Sequence, residues 1–361
     1  MKFLGGTAAT AASGCALKAW GDLQEAVQEE ERGFPGVEEW VTSTCGQCPA
    51  GCGIRVRVVD GKAVRIEGNP FHPVNRGGLC PKGVAGLQVL YNPDRLKGPL
   101  RRAGARGGGQ WEPISWGEGI KTVVAKLALL RERGEPHRLM ILSGRSEGLL
   151  HRLLARFAEA FGSPNSLNFV AEAPRPANFF TQGITEPFAY DLERTGFLLS
   201  FGYPLVEGGA SPVRQMRAYG LLRQGRPGHR ARIVQVESRL SLTAAKADKW
   251  VPVKPGTLGA LALGIAHILV KEGLYDKAFV EEFTFGFEDW KDRDGRWHLG
   301  FKRMVLEEYP PSVVSELTGV PLKTIIQLAR EFSSAKPALA IGDRDGGASS
   351  NETYAQMAIH A

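Results

Sequence analysis

Apolar and polar positions follow two different periods along the chain. Across 39–68 they alternate with a period of two, as in the runs 54–59 and 63–67, and this alternation predicts strands with one covered face. Asp60-Gly61, which separates the two runs, is a strong signal for a two-residue hairpin turn. The sequence therefore predicts a small antiparallel sheet in this region.

After a connection rich in Gly and Arg at 95–113, helical periodicity alternates with short apolar runs. Ser115 and Glu118 form a capping-box pattern at the first helix. The alternation predicts a mainly parallel α/β sheet. Because the last predicted helix runs up to Ala361 without a stop signal, we expect the complete domain to extend further. The predicted helices are Trp116–Arg133, Gly148–Phe161, Pro212–Gln224, Leu258–Glu272 and Glu352–Ala361, and the predicted strands are Leu139–Leu142, Phe197–Phe201, Ile233–Val236 and Ala338–Ile341.

The first residues have the pattern of an export signal, with Lys2 ahead of small and apolar residues and then an abrupt polar change. Lys2–Gly6 resembles the segment that follows the arginine pair of a twin-arginine signal. Ala12–Cys15 resembles a lipoprotein processing site, so that Cys15 is either a lipid anchor or a residue removed with the signal. The chain is thereby divided into a signal and acidic linker at 1–36, a small domain at 37–98 and an incomplete α/β domain at 99–361.

Composition narrows the class of protein. The 361 residues are 43% hydrophobic and carry a net charge of +7, which excludes disordered and collagen-like chains. No uninterrupted apolar stretch reaches the roughly 18 residues that a membrane-spanning helix needs. The basic segment 101–106 lacks interleaved aromatic side chains that would stack on bases. We therefore expect a globular protein without nucleic acid as a partner.

Four of the five cysteines form one pattern, Cys45-x2-Cys48-x3-Cys52, followed by Cys80 after 27 residues. Three thiolates from a tight turn and a fourth from a distant loop can wrap a [4Fe–4S] cluster. Two alternatives stay open, a disulfide framework and a zinc ribbon. A chain of this length does not need disulfide staples, and a zinc ribbon prefers two Cys-x2-Cys pairs. The spacing favours the cluster.

Small residues surround these cysteines. Gly46, Gly51 and Gly53 give the loop its backbone freedom, and we expect amide N–H groups there to approach the sulfurs. Lys82, two residues after Cys80, is placed to bring a positive charge to an anionic cluster.

Three segments, Thr44–Gly53, Gly68–Pro70 and Gly77–Gly83, resemble in order and spacing the start of dimethyl sulfoxide reductase-type molybdopterin oxidoreductases. The similarity covers about residues 38–361. It continues through Ile114–Glu118, Gly202–Glu207, Val236–Asp248 and Val253–Thr257.

This resemblance implies cofactors and site residues. The cofactors would be a [4Fe–4S] cluster and a molybdenum or tungsten bis(molybdopterin guanine dinucleotide) on a Rossmann-like sheet, with Lys82 relaying electrons between cluster and pterin. Loops at strand ends would cradle the dinucleotides, as anion binding at helix N-termini and at the carboxyl ends of parallel strands allows. The candidate contacts are Gly202, Glu207, Glu237, Arg239, Asp248, Gly256 and Thr257.

The sequences of segments 211–216 and 241–246 most resemble those of the polysulfide, thiosulfate, tetrathionate and arsenate reductase branch of this family. The resemblance then implies an exported catalytic subunit that works on a small inorganic substrate. Its partners would be a ferredoxin-like four-cluster subunit and a quinone-reactive membrane anchor, and its location would be periplasmic and membrane-associated.

The sequence departs from the family pattern at two places. Many relatives ligate the metal from the loop matching Asn168–Gly183, but here that loop has no cysteine and offers only Glu172 and Thr181 as oxygen ligands. Leu258 stands where many relatives carry Asp or Glu to hold the guanine. Two interpretations stay open: a metal without a protein ligand, or a non-catalytic relative that has lost molybdenum and relays electrons within a membrane quinone complex.

Overall fold

The computed structural model describes residues 36–144, 148–168, 176–184, 187–209, 211–223, 227–228, 230–342 and 351–361. The predicted export signal and Cys15 lie outside these residues. The chain forms two compact units that divide between Pro93 and Asp94, with 46–51 grouped with the second unit. The predicted domain boundary at 98/99 lies five residues further along the chain. Among the described residues, no helix has both the length and the apolar character that crossing a membrane requires.

The first unit is built on a three-stranded antiparallel sheet whose strands lie side by side in chain order. Asp60 and Gly61 have φ of 49° and 75°, which is the left-handed conformation of both central residues in a type I′ turn. The predicted hairpin is therefore confirmed. Its elements are β1 Glu38–Thr44, β2 Gly53–Val59 and β3 Lys62–Gly68, followed by the short helices α1 Pro81–Val84 and α2 Gly86–Leu90.

The second unit is built on a four-stranded sheet in which every pair of neighbouring strands is parallel. This sheet confirms the predicted parallel α/β class. Its strands are β8 Phe197–Phe201, β9 Arg232–Glu237, β10 Lys249–Pro252 and β13 Ala338–Gly342. The other strands pair in twos: β4 Leu100–Arg102 with β5 Trp111–Pro113, β6 Ile141–Ser143 with β7 Ser166–Asn168, and β11 Trp290–Lys291 with β12 Trp297–His298.

Helices connect these strands, and most of the predicted ones are found within a residue or two of their expected ends. Ser115 caps the first of them by accepting a hydrogen bond from the Glu118 amide at 3.1 Å, as the capping-box pattern predicts. The helices of the second unit are α3 Trp116–Glu132, α4 Gly148–Phe161, α5 Pro176–Gln182, α6 Pro212–Arg223, α7 Leu242–Lys246, α8 Leu258–Lys271, α9 Lys277–Phe283, α10 Phe301–Glu308, α11 Pro311–Thr318, α12 Leu322–Ser334 and α13 Glu352–His360.

Both faces of the four-stranded sheet are covered. One face packs Phe201 and Val236 against Leu261 of α8 and Ile325 of α12, and the other packs Leu198, Ile233 and Ile341 against Leu222 of α6. A strand buried on two sides needs apolar side chains at consecutive positions, which is why 197–201 is almost continuously apolar.

The strand order reverses at β8. From β8 the chain proceeds to β9 and β10 on one side, and only much later adds β13 on the other side. In open parallel sheets, ligands bind outside the carboxyl ends of the strands at such a reversal point. The turn that begins at Gly202 is therefore the place in this unit where the topology favours a ligand.

Candidate cluster and cofactor sites

The cysteine loop closes the β1–β2 hairpin. The register pairs Thr44 with Gly53 at the end of the two strands, and the Cys45 amide then donates to the Cys52 carbonyl at 2.8 Å. Gly51 has a φ of 56°, a conformation that favours glycine. Cys45 and Cys52 thus stand side by side at the base of the loop that carries Cys48.

The fourth cysteine begins a helix. Cys80 is the N-cap of α1, Pro81 follows at the first helical position, and the Cys80 carbonyl accepts from the Gly83 and Val84 amides at 2.9 and 3.1 Å. Lys82 lies exposed on the same helix. Proline at this position is pre-organised for a helix start, so the sequence Cys-Pro-Lys-Gly fixes the backbone that presents the Cys80 sulfur.

The loop before Cys80 packs closely against the strand ends. A Cβ on Gly68 would lie 2.3 Å from the Gly77 carbonyl oxygen, and one on Gly53 would lie 2.6 Å from the His72 side chain. Asn75, fully buried, bonds to Gly53 and to Gly78. Sequence reasoning missed Asn75, although an amide side chain just ahead of Gly77 and Gly78 was an available signal.

One detail of the cysteine loop differs from expectation. The Gly53 amide donates to the Asn75 side-chain oxygen at 3.0 Å, so it does not point at a cysteine sulfur as we predicted for amides in this loop. A side chain 22 residues later in the sequence supplies the acceptor for Gly53, and the approach of other amides in the loop to the sulfurs stays a prediction.

The donor set fits a cluster. None of Cys45, Cys48, Cys52 and Cys80 is joined in a disulfide, and four thiolates are the ligand set of a [4Fe–4S] cluster. In the part of the chain that the structure describes, no group of three or more His, Cys, Asp or Glu side chains stands close enough to hold a metal ion. In a cubane each thiolate binds a different iron, so its ligands need not converge on one point.

Glu207, Glu237 and Arg239 come together at the carboxyl edge of the parallel sheet. Glu237 ends β9 and accepts from the Ser241 amide at 3.1 Å, and Glu207 accepts from the Thr243 amide at 3.1 Å. Both carboxylates therefore engage amide donors at the start of α7, the position where an anion would otherwise bind. The other oxygen of each carboxylate faces a side chain, that of Arg239 at 3.4 Å from Glu207 and that of Gln235 at 3.0 Å from Glu237. Their contact with the cofactor stays a prediction.

Arg239 is the most open of the three. Its guanidinium side chain is 79% exposed and lies 3.4 Å from the Glu207 carboxylate. It lines an open surface depression of about 500 Å³ together with Glu207, Ser241 and neighbouring residues. An exposed guanidinium over a concave surface fits an anionic group such as a phosphate.

Gly202, Gly256 and Thr257 lie at the same edge. Gly202 has a φ of 69°, and Leu258 approaches within 3.8 Å of where its Cβ would be. Gly256, with a φ of 77°, and Thr257, whose hydroxyl donates to the Lys254 carbonyl at 2.7 Å, form the turn into α8. Leu258 itself is 6% exposed and belongs to the core, so it begins the helix as a packing residue.

Asp248 lies at the opposite edge of the sheet. Its carboxylate accepts from the Ile233 amide at 2.8 Å, from Arg223 at 2.7 Å and from Arg230 at 2.7 Å. Burial raises the pKa of this carboxyl, but the hydrogen bonds from Ile233 and the two arginines outweigh burial and hold the pKa below its ordinary value. The structure therefore separates Asp248 from Glu207, Glu237 and Arg239, with which we grouped it from the sequence.

The candidate metal-ligand loop is described only in part. Glu172 lies outside the described residues. Thr181 sits in α5, where its hydroxyl donates to the Ala177 carbonyl at 2.8 Å and lies 3.2 Å from Nδ1 of His360. Its role as a ligand stays a prediction.

Comparison with known proteins bears on both units. A model of the molybdopterin oxidoreductase Fe4S4 domain matches residues 38–92, and a model of the molybdopterin oxidoreductase domain matches residues 95–358. The chain belongs to the molybdopterin oxidoreductase family. The match confirms the predicted family, and the two domain descriptions confirm the predicted cofactor types, an iron–sulfur cluster and a molybdopterin.

Several curated relatives are similar to the chain. The arsenate respiratory reductase molybdopterin-containing subunit of Shewanella sp. (strain ANA-3) is 32% identical over 90% of this chain and 40% of its own length. The thiosulfate reductase molybdopterin-containing subunit of Salmonella typhimurium is 30% identical over 84% and 38%. The menaquinone reductase, molybdopterin-binding-like subunit of Nitratidesulfovibrio vulgaris is 32% identical over 94% and 47%. The chain therefore spans less than half the length of these relatives.

A solved structure has the same fold. Acetylene hydratase from Pelobacter acetylenicus superposes with a TM-score of 0.70 and 25% identity, over 88% of this chain and 42% of that one. The fold class predicted from the sequence is thereby confirmed a second time.

Proposed function

We propose that this chain is part of the exported catalytic subunit of a molybdopterin-dependent oxidoreductase that performs two-electron redox chemistry on a sulfur or oxyanion substrate. The observation that carries the proposal is the succession of an Fe4S4 domain and a molybdopterin domain over residues 38–92 and 95–358. When bound, the cluster supplies single-electron transfer and the molybdopterin metal supplies the two-electron step.

Four cysteines, three near the β1–β2 hairpin and one at the start of α1, would hold the cluster. Cys45 and Cys52 are fixed next to each other by the backbone bond between them, Cys48 sits in the loop that joins them, and Cys80 is presented by the N-cap of α1. These four are the proposed ligands. Lys82 is the proposed positive group beside the cluster, since a cation lowers the energetic cost of adding an electron to an anionic centre.

The second unit would hold a dinucleotide at its carboxyl edge. Gly202 lies at the reversal point of the strand order, where ligands of parallel sheets bind, and Arg239 offers an exposed guanidinium there. Glu207 and Glu237 keep the start of α7 in place through the Thr243 and Ser241 amides. In this proposal they orient the loop around Arg239, while Arg239 contacts the ligand.

The substrate class rests on the relatives. Their names specify arsenate and thiosulfate reductases, and others among them specify sulfite and dimethyl sulfoxide. A small sulfur compound or oxyanion is the substrate that this set supports. Export by a twin-arginine-like signal, a four-cluster ferredoxin-like subunit and a quinone-reactive membrane anchor complete the proposal.

A second function has specific support. The menaquinone reductase relative is named a molybdopterin-binding-like subunit and matches 94% of the chain. Leu258 lies buried in the core at the position where the family resemblance implies an Asp or Glu that holds the guanine, and a leucine side chain cannot accept those hydrogen bonds. The alternative is a non-catalytic subunit that carries the cluster and passes electrons within a membrane quinone complex.

Metal analysis of the full-length protein distinguishes the two. The protein would be purified anaerobically from its own host, and iron, molybdenum and tungsten would be measured per chain. Iron together with about one molybdenum or tungsten per chain supports the enzyme. Iron without either metal, from cells whose other molybdoenzymes are loaded, rejects the enzyme in favour of the electron-transfer subunit.

A further inference from the structure

Asn75 joins the two halves of the cysteine site in the first unit. It is fully buried, and it lies between the hairpin that carries Cys52 and the loop that carries Cys80. Its side-chain oxygen accepts from the Gly53 amide at 3.0 Å, while its side-chain nitrogen donates to the Gly53 carbonyl at 2.9 Å and to the Gly78 carbonyl at 2.7 Å.

These bonds reach both ligand segments. Gly53 directly follows Cys52, and Gly78 precedes Cys80 by two residues. The Gly78 amide also donates to the Asn75 carbonyl at 2.8 Å, so Asn75 holds Gly78 from its side chain and from its main chain. A shift of this one residue therefore moves the backbone of Cys52 relative to that of Cys80.

The backbone around Asn75 leaves no room for adjustment. A Cβ on Gly68 would lie 2.3 Å from the Gly77 oxygen and 2.7 Å from the Gly78 oxygen. The end of β3 thus lies directly against the Gly77–Gly78 backbone, and Asn75 spans the gap between that contact and Gly53. Glycine at position 68 permits this close contact, and the hydrogen bonds of Asn75 to Gly53 and Gly78 hold it in place.

Only an amide side chain meets these requirements. The site needs one acceptor for the Gly53 amide and two donors for two carbonyls, and the Asn amide group supplies one oxygen and two N–H groups. An aspartate would accept the first bond but would set its remaining lone pairs against two buried carbonyls. An alanine would remove the partners of the Gly53 amide and the Gly78 carbonyl, and it would leave the Gly53 carbonyl with only its bond from the Asn69 amide at 2.8 Å.

We propose that Asn75 is a positioning residue for the cluster: it fixes the distance between Cys52 and Cys80 so that both sulfurs reach the same [4Fe–4S] centre. This inference rests on the proposed function, because it assumes that the four cysteines bind a cluster. It concerns a residue that the cysteine spacing alone does not single out.

The test compares one chemical change at two places in the same loop. In the full-length protein, Asn75→Asp is compared with Asn69→Asp, because the Asn69 side chain only accepts from the Phe71 amide at 3.0 Å and an aspartate preserves that bond. We expect Asn75→Asp to lose at least half of its cluster iron and to shift the g-values and midpoint potential of the clusters that remain. Asn69→Asp keeps wild-type iron, g-values and potential.

A second variant keeps the test decisive if Asn75→Asp does not fold. Asn75→Gln keeps the amide but displaces it by one methylene, so it should assemble clusters with altered g-values and potential while the far-UV circular dichroism stays as in wild type. Wild-type iron content, g-values and potential in the Asp and Gln variants reject the inference, as does a loss of fold in both. If the wild-type protein itself contains no [4Fe–4S] cluster, the proposed function is rejected, and this inference is rejected with it.

Discussion

The Glu207 carboxylate accepts a hydrogen bond from the Thr243 amide at 3.1 Å, and the neighbouring Val206 amide donates to the Thr243 hydroxyl at 3.2 Å. This pair of bonds ties the loop after β8 to the first turn of α7. Because β8 and β9 are adjacent, the tether fixes the shape of the carboxyl edge of the sheet between Glu207 and Arg239.

Removing the Glu207 carboxylate tests this tether. Glu207→Ala leaves the partly buried Thr243 amide without its partner, so we expect a loss of about 1–2 kcal/mol in the free energy of unfolding, together with a lower molybdopterin content of the purified protein. Denaturant unfolding and pterin fluorescence after extraction measure the two effects. Glu281→Ala, at an exposed position of α9, is the control and should change neither.

The Asp248 site makes stability depend on pH. The folded pKa of this carboxyl lies below its ordinary value of 3.8, so the charged form is favoured in the folded state. The resulting stability is present at pH values above the ordinary pKa and is lost as the pH falls through the folded pKa. Asp248→Asn should therefore lower stability by roughly 2 kcal/mol at neutral pH, and the difference from wild type should shrink below about pH 4.

Thermal unfolding between pH 7 and pH 3 measures this difference. Asp191→Asn is the matched control, because the Asp191 side chain is 61% exposed and its partner Arg194 lies 3.6 Å away; a surface pair of this kind contributes at most about 1 kcal/mol. An Asp248→Asn deficit of equal size at pH 7 and at pH 3 would contradict the assignment.

Leu258 should behave as a core residue. Leu258→Ala removes a side chain that is 6% exposed and packed in the sheet core, which costs about 2–5 kcal/mol. Leu242→Ala, at a position that is 61% exposed, should cost less than about 0.5 kcal/mol. Denaturant titration of both variants checks the prediction. Equal stabilities would mean that Leu258 is accessible and free to face a ligand.

Cys80 should be indispensable for the cluster. Cys80→Ala removes one of four thiolates, so we expect the visible charge-transfer absorption of the protein to disappear and its iron content to fall by more than half. Cys15→Ala, outside the predicted ligand set, should keep both. Unchanged colour and iron in Cys80→Ala would show that the ligand assignment is wrong.

Lys82 should tune the cluster without holding it. Lys82→Met removes an exposed cation, so the reduced cluster loses a favourable interaction and the midpoint potential should fall, while the iron content stays constant. Lys82→Arg keeps the charge and should restore most of the potential. A potentiometric titration monitored by electron paramagnetic resonance measures the midpoint potential. Identical potentials in wild type and both variants would show that Lys82 has no role in electron transfer through the cluster.

The sequence predicted the elements whose signal is local. Phe197–Phe201 and Gly148–Phe161 were predicted with their observed ends, because an apolar run bounded by polar or Gly residues marks a buried strand and a 3.6-residue period marks a helix. Lys249–Pro252 was missed, since four residues with one buried position, Val251, give too short a pattern. The pairing of β13 with β8 left no local signal either, because it is set by tertiary packing.

In the candidate sites, too, residues with a local sequence signal were predicted, while contacts that depend on the folded backbone were not. Spacing alone identified the four cysteines, but it gave no indication that Asn75 connects Gly53 to Gly78, because that bond depends on how the two loops cross. Likewise, Glu207 and Glu237 were recognised as special residues, while their amide partners on α7 could be found only from the folded backbone. Asp248 was grouped with them because it ends the family-like segment 236–248, although helix α7 lies between Glu237 and Asp248 and returns the chain to the other edge of the sheet.

The position of β13 also has a consequence for synthesis. The Thr195 hydroxyl, just ahead of β8, meets the Pro337 carbonyl, which lies 142 residues later in the chain. During translation, the synthesis of β13 therefore follows that of β8 by a time on the order of ten seconds, at typical elongation rates of about 5–20 residues per second. During this interval the most apolar strand of the sheet has one unpaired edge, a target for chaperones that bind extended apolar segments and for aggregation when they are scarce.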